Sequence, residues 1–314
     1  MTRALRLSIF DLLLVLMVVV WGANYSVMKR AFEEVPPLAF NAMRMAVASA
    51  VFLAAIRIAR RRTTPIPPAI RRVFHTPEAL TRRDRWDLLW LGLVGHFGYQ
   101  LFFAAGVART HASNAALILG VTPVTVAVLS SALGEDRVKP LQWLAALVSA
   151  VGVYLVVGRG ASFGGTTLAG DLLMVVALVC WAAYTLGGVR IMARHSPLYV
   201  TGVTMAIGTV PYAIGAIPWL IATRWADVTA LIWVLLVLSA LLALCFGYIV
   251  WNAAVQRLGA THTAIYSNLV PLAAMLVAAL WLREPMSPAK FVAVALIIAG
   301  VVLTRLQPRM PVGS

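Results

Sequence analysis

Ten long apolar runs, separated by short breaks, constrain this chain more than any other feature. They fall at about Ser8–Met28, Pro37–Ile58, Trp86–Ala108, Ala112–Leu133, Leu141–Val157, Leu168–Met192, Leu198–Ala222, Val228–Ala254, Thr261–Leu282 and Ala289–Thr304. A helix crossing a bilayer needs about 20 mainly apolar residues, because the hydrocarbon is about 30 Å thick and each residue rises about 1.5 Å. The runs are long and do not alternate, so helices are preferred over barrel strands, the two structures that satisfy the backbone in lipid. Many joints carry breakers: Pro36-Pro37, Gly134, Pro140, Gly158 to Gly165, Pro197, Gly259 and Pro285. With 61% hydrophobic and 12% charged residues, the chain is too apolar to hide its surface in a water-soluble core. The first run is too long for a signal-peptide core of about 7–15 residues and lacks a small-residue cleavage site, so it reads as a retained helix. The expected fold is all-α and integral to the membrane, with ten transmembrane helices.

The net charge of +15 does not point to nucleic acid, because the basic residues sit between apolar runs and not on an aromatic-interleaved face. It points to topology. With a cytoplasmic N-terminus, eighteen of the 26 Lys and Arg residues fall in inside segments and seven at outside ends, and Arg44 lies within the second run. Nine of the eighteen belong to one segment, Arg57 to Arg85. Lys and Arg are retained on the cytoplasmic side, so both termini are expected inside. The same segment is also a candidate patch for anionic lipid or a soluble partner, which keeps a membrane receptor or scaffold as a reading from a different class. Cys180 and Cys245 lie within apolar runs and read as buried free thiols. No metal cluster or cofactor is indicated, and no enzyme motif stands up. The Gly-rich stretch Gly158 to Gly164 lacks the Lys-Ser/Thr of a phosphate loop.

The chain repeats itself. Arg109-Thr110-His111-Ala112-Ser113-Asn114 leading to Thr122-Pro123 resembles Arg257-Leu258-Gly259-Ala260-Thr261-His262 leading to Val270-Pro271. Their offset of 148 also pairs Pro140 with Pro288 and Gly152 with Gly300. Earlier in each half, Trp21-Gly22-Ala23-Asn24-Tyr25 answers Trp181-Ala182-Ala183-Tyr184-Thr185 at an offset of 160, as Pro37 answers Pro197. Each half then holds five helices: residues 1–159 form the first repeat, 160–167 a Gly-rich outside linker and 168–314 the second repeat. Five is odd, so the second copy enters the membrane upside down. Inverted repeats of this kind place a site near the midplane between halves and allow alternating access.

The candidate substrate-binding residues are polar-aromatic faces of these helices: Trp21, Asn24 and Tyr25; His96, Tyr99 and Gln100; Trp181 and Tyr184; Tyr248 and Asn252; Tyr266 and Asn268, with Asn114. Trp21 and Tyr25 are four residues apart, as are Tyr248 and Asn252, so each pair shares a face. Such faces suit flat, partly apolar solutes. Helix–helix hydrogen bonding is the competing role for His96, Asn114, Asn268 and Thr122, and interfacial anchoring suits Trp86, Trp90, Trp225 and Trp281. Arg44 and Lys29 are candidates either for attracting a substrate's charge or for structure. A guanidinium within a span must pair, face water or bind an anion. Pro123, Pro211 and Pro271 fall inside spans, where kinks serve gating or packing. No carboxylate is placed near the bilayer centre, which favours passive export over carboxylate-coupled antiport. Small residues at Ala146 and Ala150, and at Ala295 and Ala299, permit close packing within a protomer or in a homodimer.

Trp21-Gly22-Ala23-Asn24 followed by Lys29, Pro36-Pro37 followed by Arg44, Pro123 followed by Gly134-Glu135, and Gly152 resemble the EamA-type branch of the drug/metabolite transporter superfamily. Pro271, Glu284 and Gly300 repeat the weaker elements in the second half. The whole is similar to YddG-type exporters of aromatic amino acids. The resemblance implies a ten-helix inverted-repeat transporter of the bacterial cytoplasmic (inner) membrane. It also implies export of small metabolites such as aromatic amino acids, through a cavity surrounded by the first, third, fourth, sixth, eighth and ninth helices. Nucleosides, nucleotide-sugars and xenobiotics are the alternative cargoes. The second half departs from the pattern, with Tyr184, Val189 and Thr204 where Asn24, Lys29 and Arg44 would recur.

Overall fold

The computed structural model describes residues 9–61, 68–74, 79–133 and 166–284, with isolated positions between 144 and 151 and between 286 and 299. The fifth and tenth apolar runs and the linker 160–167 fall largely outside them. Helix α1 is Ile9–Ala31, α2 is Pro37–Arg61 and α3 is the short Pro68–Phe74. The third span joins α4 (Arg82–Leu91), a π-helical stretch (Gly92–Gly98) and α5 (Tyr99–Arg109). Next come α6 (Ala112–Leu119), α7 (Thr122–Ala132), α8 (Thr166–Met192) and α9 (Pro197–Ala222). A further span joins α10 (Ala230–Leu238), a second π-helical stretch (Ser239–Phe246) and α11 (Gly247–Leu258). It is followed by α12 (Ala260–Tyr266), a 3-10 turn (Ser267–Leu269) and α13 (Val270–Trp281).

Among the described residues, seven helices are long and apolar enough to cross a membrane, and α13 is a shorter apolar helix. Their outer faces are apolar: Leu12, Val15, Leu16 and Val19 form an exposed stripe on α1, and Val210, Ile214, Ile217 and Ile221 one on α9. Exposed aliphatic stripes at helical spacing suit lipid contact and not water. Trp86 and Trp90 are exposed near the start of the third span, where interfacial indoles belong.

Helix termini are closed by side chains. Thr81 and Asp84 form a reciprocal capping box at the start of α4. Asp84 also holds Arg194 and lies 3.2 Å from His195, tying α4 to the turn between α8 and α9. At the opposite end of the bundle, Glu34 accepts from the backbone N–H and hydroxyl of Thr229 (3.0 and 2.8 Å), anchoring the start of α10. There too, Glu284 accepts from the backbone N–H groups of Ala112 and Ser113 and the Ser113 hydroxyl (2.8, 3.3 and 2.7 Å), capping α6. A carboxylate at a helix N-terminus satisfies donors that have no partner within the helix.

The two halves meet in antiparallel seams. On α9 and α2, Tyr199 lies beneath Arg60, Gly202 abuts Ile56 and Phe52, and Thr209 meets Ser49, so numbering rises along one helix as it falls along the other. The third span and α8 run likewise, from Leu91 against Gly187 to Gly106 against Met174. Three contacts join repeat-equivalent residues: the Ser49 and Thr209 hydroxyls (2.8 Å), the Gln100 amide and Tyr248 hydroxyl (3.1 Å), and the rings of Trp21 and Trp181 (5.6 Å between centroids). Equivalent residues touch only where an axis relating the halves passes between them. These contacts therefore mark a pseudo-two-fold axis through the middle of the bundle.

Local irregularities also occur in equivalent places. The two π-helical stretches lie 147–148 residues apart, and each packs on a helix of the other half: Gly92–Gly98 on α9 and Ser239–Phe246 on α2. The helix breaks before α7 and α13 match in the same way. Pro123 and Pro271 sit in the first turn after each break, whereas Pro211 and Pro218 lie within α9. Pro123 has no N–H for the Leu119 carbonyl, and the Thr122 hydroxyl donates to it instead at 2.6 Å.

Candidate functional site

A cavity lies on this axis, where α1, α2, the third span, the two helix breaks, α8 and the span around Tyr248 converge. Counted together with the solvent at its mouth, the space free of protein atoms is about 550 Å³. Aromatic rings build its walls. Trp21 stands edge-on to Trp181 and Tyr248, Tyr99 lies 5.1 Å from Trp181 and stacks on Phe103 at 5.3 Å, and Tyr25 meets Phe103 at 5.5 Å. The Trp21 indole N–H donates to the Ala243 carbonyl at 2.9 Å, within the π-helical stretch. Gly247 leaves room for that indole, since a β-carbon there would collide with it. Leu119, Thr122, Ser267 and Val270 bring both helix breaks to the cavity wall. Irregular backbone is tolerated in a membrane where it lines such a space.

Arg44 supplies the cavity's charge. Its side chain is 1% exposed, and it donates to Ser239 Oγ at 2.8 Å, Asn24 Oδ1 at 3.4 Å and Gln100 Oε1 at 3.5 Å. Ser239 Oγ in turn donates to Asn24 Oδ1 at 2.5 Å. Arg44 Nε has no hydrogen-bond partner, and no described carboxylate pairs with the guanidinium. Its partners are neutral side chains lining or bordering the cavity.

The cavity is displaced toward the end of the bundle that holds Ala31, Pro37, Arg109 and Ala230: on α1 it runs from Trp21 to Tyr25, and on the third span from Tyr99 to Phe103. The repeat-equivalent positions on the other side of the axis are filled. Tyr184 packs against Gly95 and, through its ring, against His96 at 5.0 Å. Asn252 donates to the Tyr184 hydroxyl at 2.8 Å and to Thr201 Oγ1 at 2.7 Å, joining three helices. His96 Nε2 lies 3.0 Å from Thr204 Oγ1, whose own hydroxyl donates to the Val200 carbonyl at 2.7 Å. That arrangement assigns the donor role to Nε2.

Of the residues singled out in the sequence, Trp21, Asn24, Tyr25, Arg44, Tyr99, Gln100, Trp181 and Tyr248 line one cavity. His96, Tyr184 and Asn252 form the packed layer beside it. Asn114 is buried in α6 away from the lining. Tyr266 is half-buried before the second helix break; the Asn268 side chain lies outside the described residues. Lys29 faces a separate recess near the end of α1 with Glu33, His111 and Glu284. Sequence reasoning missed Ser239 and Ser267; Thr122, read with Asn114 and Asn268 as a candidate for helix–helix hydrogen bonding, lines the cavity. Ser239 is the one hydroxyl between Ala230 and Leu244, a signal that its aliphatic surroundings made easy to pass over.

Antiparallel halves, discontinuous helices and a cavity on the axis between them define a membrane transporter fold. The chain matches the model of the EamA-like transporter family twice, over residues 8–158 and 168–306. It belongs to that family, within the drug/metabolite transporter superfamily. The transporter YyaM of Bacillus subtilis is 28% identical over 73% of this chain and 76% of its own. A probable terminal-alkyne amino-acid exporter of Streptantibioticus cattleyicolor is 28% identical over 92% of this chain and 91% of its own. A probable amino-acid metabolite efflux pump of Salmonella typhimurium is 24% identical over 92% of each chain. One crystal structure superposes with a TM-score of 0.68, covering 95% of this chain and 98% of its own at 19% identity, a likeness of fold.

Proposed function

We propose that this transporter exports small, partly apolar metabolites from the cytoplasm, with aromatic amino acids the first cargo to test. The observation that carries the reading is the ring-walled cavity on the axis between the halves. Flat solutes stack on such walls, and edge-on and offset ring contacts each contribute about 0.5–1.5 kcal/mol beyond area burial. Two relatives, named as a probable terminal-alkyne amino-acid exporter and a probable amino-acid metabolite efflux pump, support the same class. Repeats spanning residues 1–159 and 168–314, joined by an outside linker, fit a cycle in which the filled layer opens as the cavity closes. Both termini and the Arg57–Arg85 segment are then cytoplasmic, in a cytoplasmic membrane. No described carboxylate lines the cavity, which fits export driven by the solute's own gradient.

Liposomes reconstituted with the full chain and loaded with radiolabelled phenylalanine, tyrosine or tryptophan should release label faster than protein-free vesicles. Tyr99→Ala and Trp181→Ala should slow that release while expression persists. No release or counterflow for any amino acid, together with release of a nucleoside or nucleotide-sugar, would replace the cargo class.

A further inference from the structure

Resting on that reading of the cavity, we infer that the feature this site requires of its solute is a single carboxylate, bound by Arg44, and that an amino group is dispensable. A guanidinium has five N–H donors and keeps its charge. In this cavity it makes one short bond, to Ser239, and two long ones, while Nε is unpartnered. Burying a cation with neutral partners alone leaves a desolvation cost that an entering anion offsets. The partners are displaceable: Ser239 is already bonded to Asn24, and Gln100 to Tyr248.

A positive charge is not needed to hold these helices together. Thr204, the counterpart of Arg44 in the second repeat, bridges to His96 across the equivalent seam through a neutral hydroxyl. The charge is thus extra to the latch, and it sits at the cavity wall. The same wall carries no described carboxylate to pair with an ammonium. An ammonium would have only the ring faces, a cation–π contact of modest strength, and would feel repulsion from Arg44. A zwitterion is therefore accepted for its acid group.

The test uses one ring with three tails. Binding of phenylalanine, 3-phenylpropionate and phenethylamine to the purified full chain is measured by calorimetry, and their ability to compete in phenylalanine counterflow is compared. Phenylpropionate should bind at least as tightly as phenylalanine, with phenethylamine weaker by about tenfold to a hundredfold, the range expected for losing a charge-assisted hydrogen bond. R44Q should erase that difference and R44K should keep part of it. Equal binding of all three, or an acid preference that survives in R44Q, overturns the inference while leaving an aromatic-solute transporter. Binding of none of the three by the folded chain overturns both. The solute series on the unaltered chain decides the matter even where R44Q fails to fold.

Discussion

Two glycines beneath aromatic rings test the packing one residue at a time. A β-carbon at Gly95 would enter the Tyr184 ring, and one at Gly247 would enter the Trp21 indole, whereas at Gly215 nothing lies within 4 Å. Overpacking of this kind costs about 1–3 kcal/mol, and alanine in place of an exposed helical glycine gains up to about 1 kcal/mol. Gly95→Ala and Gly247→Ala should therefore lower the melting temperature in detergent, with Gly215→Ala neutral or stabilising. Equal melting of all three would contradict the packing. At this scale the sequence was partly legible. Aromatic and amide residues at four-residue spacing marked Trp21, Tyr25 and Tyr248, because a shared face needs only helical periodicity. It did not separate Tyr248, at the cavity, from Tyr184 and Asn252, in the closed layer. That distinction depends on which side of the axis a residue lies.

Helix ends and breaks carry the next set of consequences. Glu284 is the cap of α6, so Glu284→Gln should cost about 1–2 kcal/mol, typical of losing an N-cap, read as a lower melting temperature. Glu34 is held below its ordinary value of 4.5, first by the Thr229 backbone N–H, against some desolvation, and then by the Thr229 hydroxyl and Arg30. A depressed carboxylate stabilises fully above its ordinary value and loses that contribution as pH falls through the depressed one. Hydrogen exchange in the first turn of α10 should quicken on acidification below pH 4.5, and Glu34→Gln should flatten the response. Among the described residues, the apolar runs located the spans within a few residues, as with Leu198–Ala222 against the observed Pro197–Ala222. They did not show the breaks at Gly120 and Ser267 or the π-helical stretches. Hydrophobicity is continuous across these, and only the prolines that follow the breaks hinted at them.

For the whole molecule, the axis separates contacts that must change from contacts that need not. If the cycle exchanges the roles of the halves, a pair on the axis keeps its spacing, whereas Leu91 and Gly187, off the axis in the closed layer, must part. In a chain lacking Cys180 and Cys245, an oxidised Ser49→Cys/Thr209→Cys pair should leave exchange largely intact. A Leu91→Cys/Gly187→Cys pair should stop it until reduced. Arrest by the first and not the second would exclude this cycle. The two offsets in the sequence, 160 and 148, announced the repeats through matched Trp, Pro and Gly residues, but contact between matched residues emerged only in three dimensions. That contact bears on how such a chain diverges after duplication. Two separate copies of one five-helix product, assembled about the same axis, would set each axial side chain against itself. One substitution would then alter both sides of the contact, and a charge would meet its own like. Fusion into one chain removes that restriction. Trp21 and Trp181 still match, Ser49 and Thr209 differ by a methyl group, and Gln100 and Tyr248 have become donor and acceptor, three degrees of escape from self-recognition within a single polypeptide.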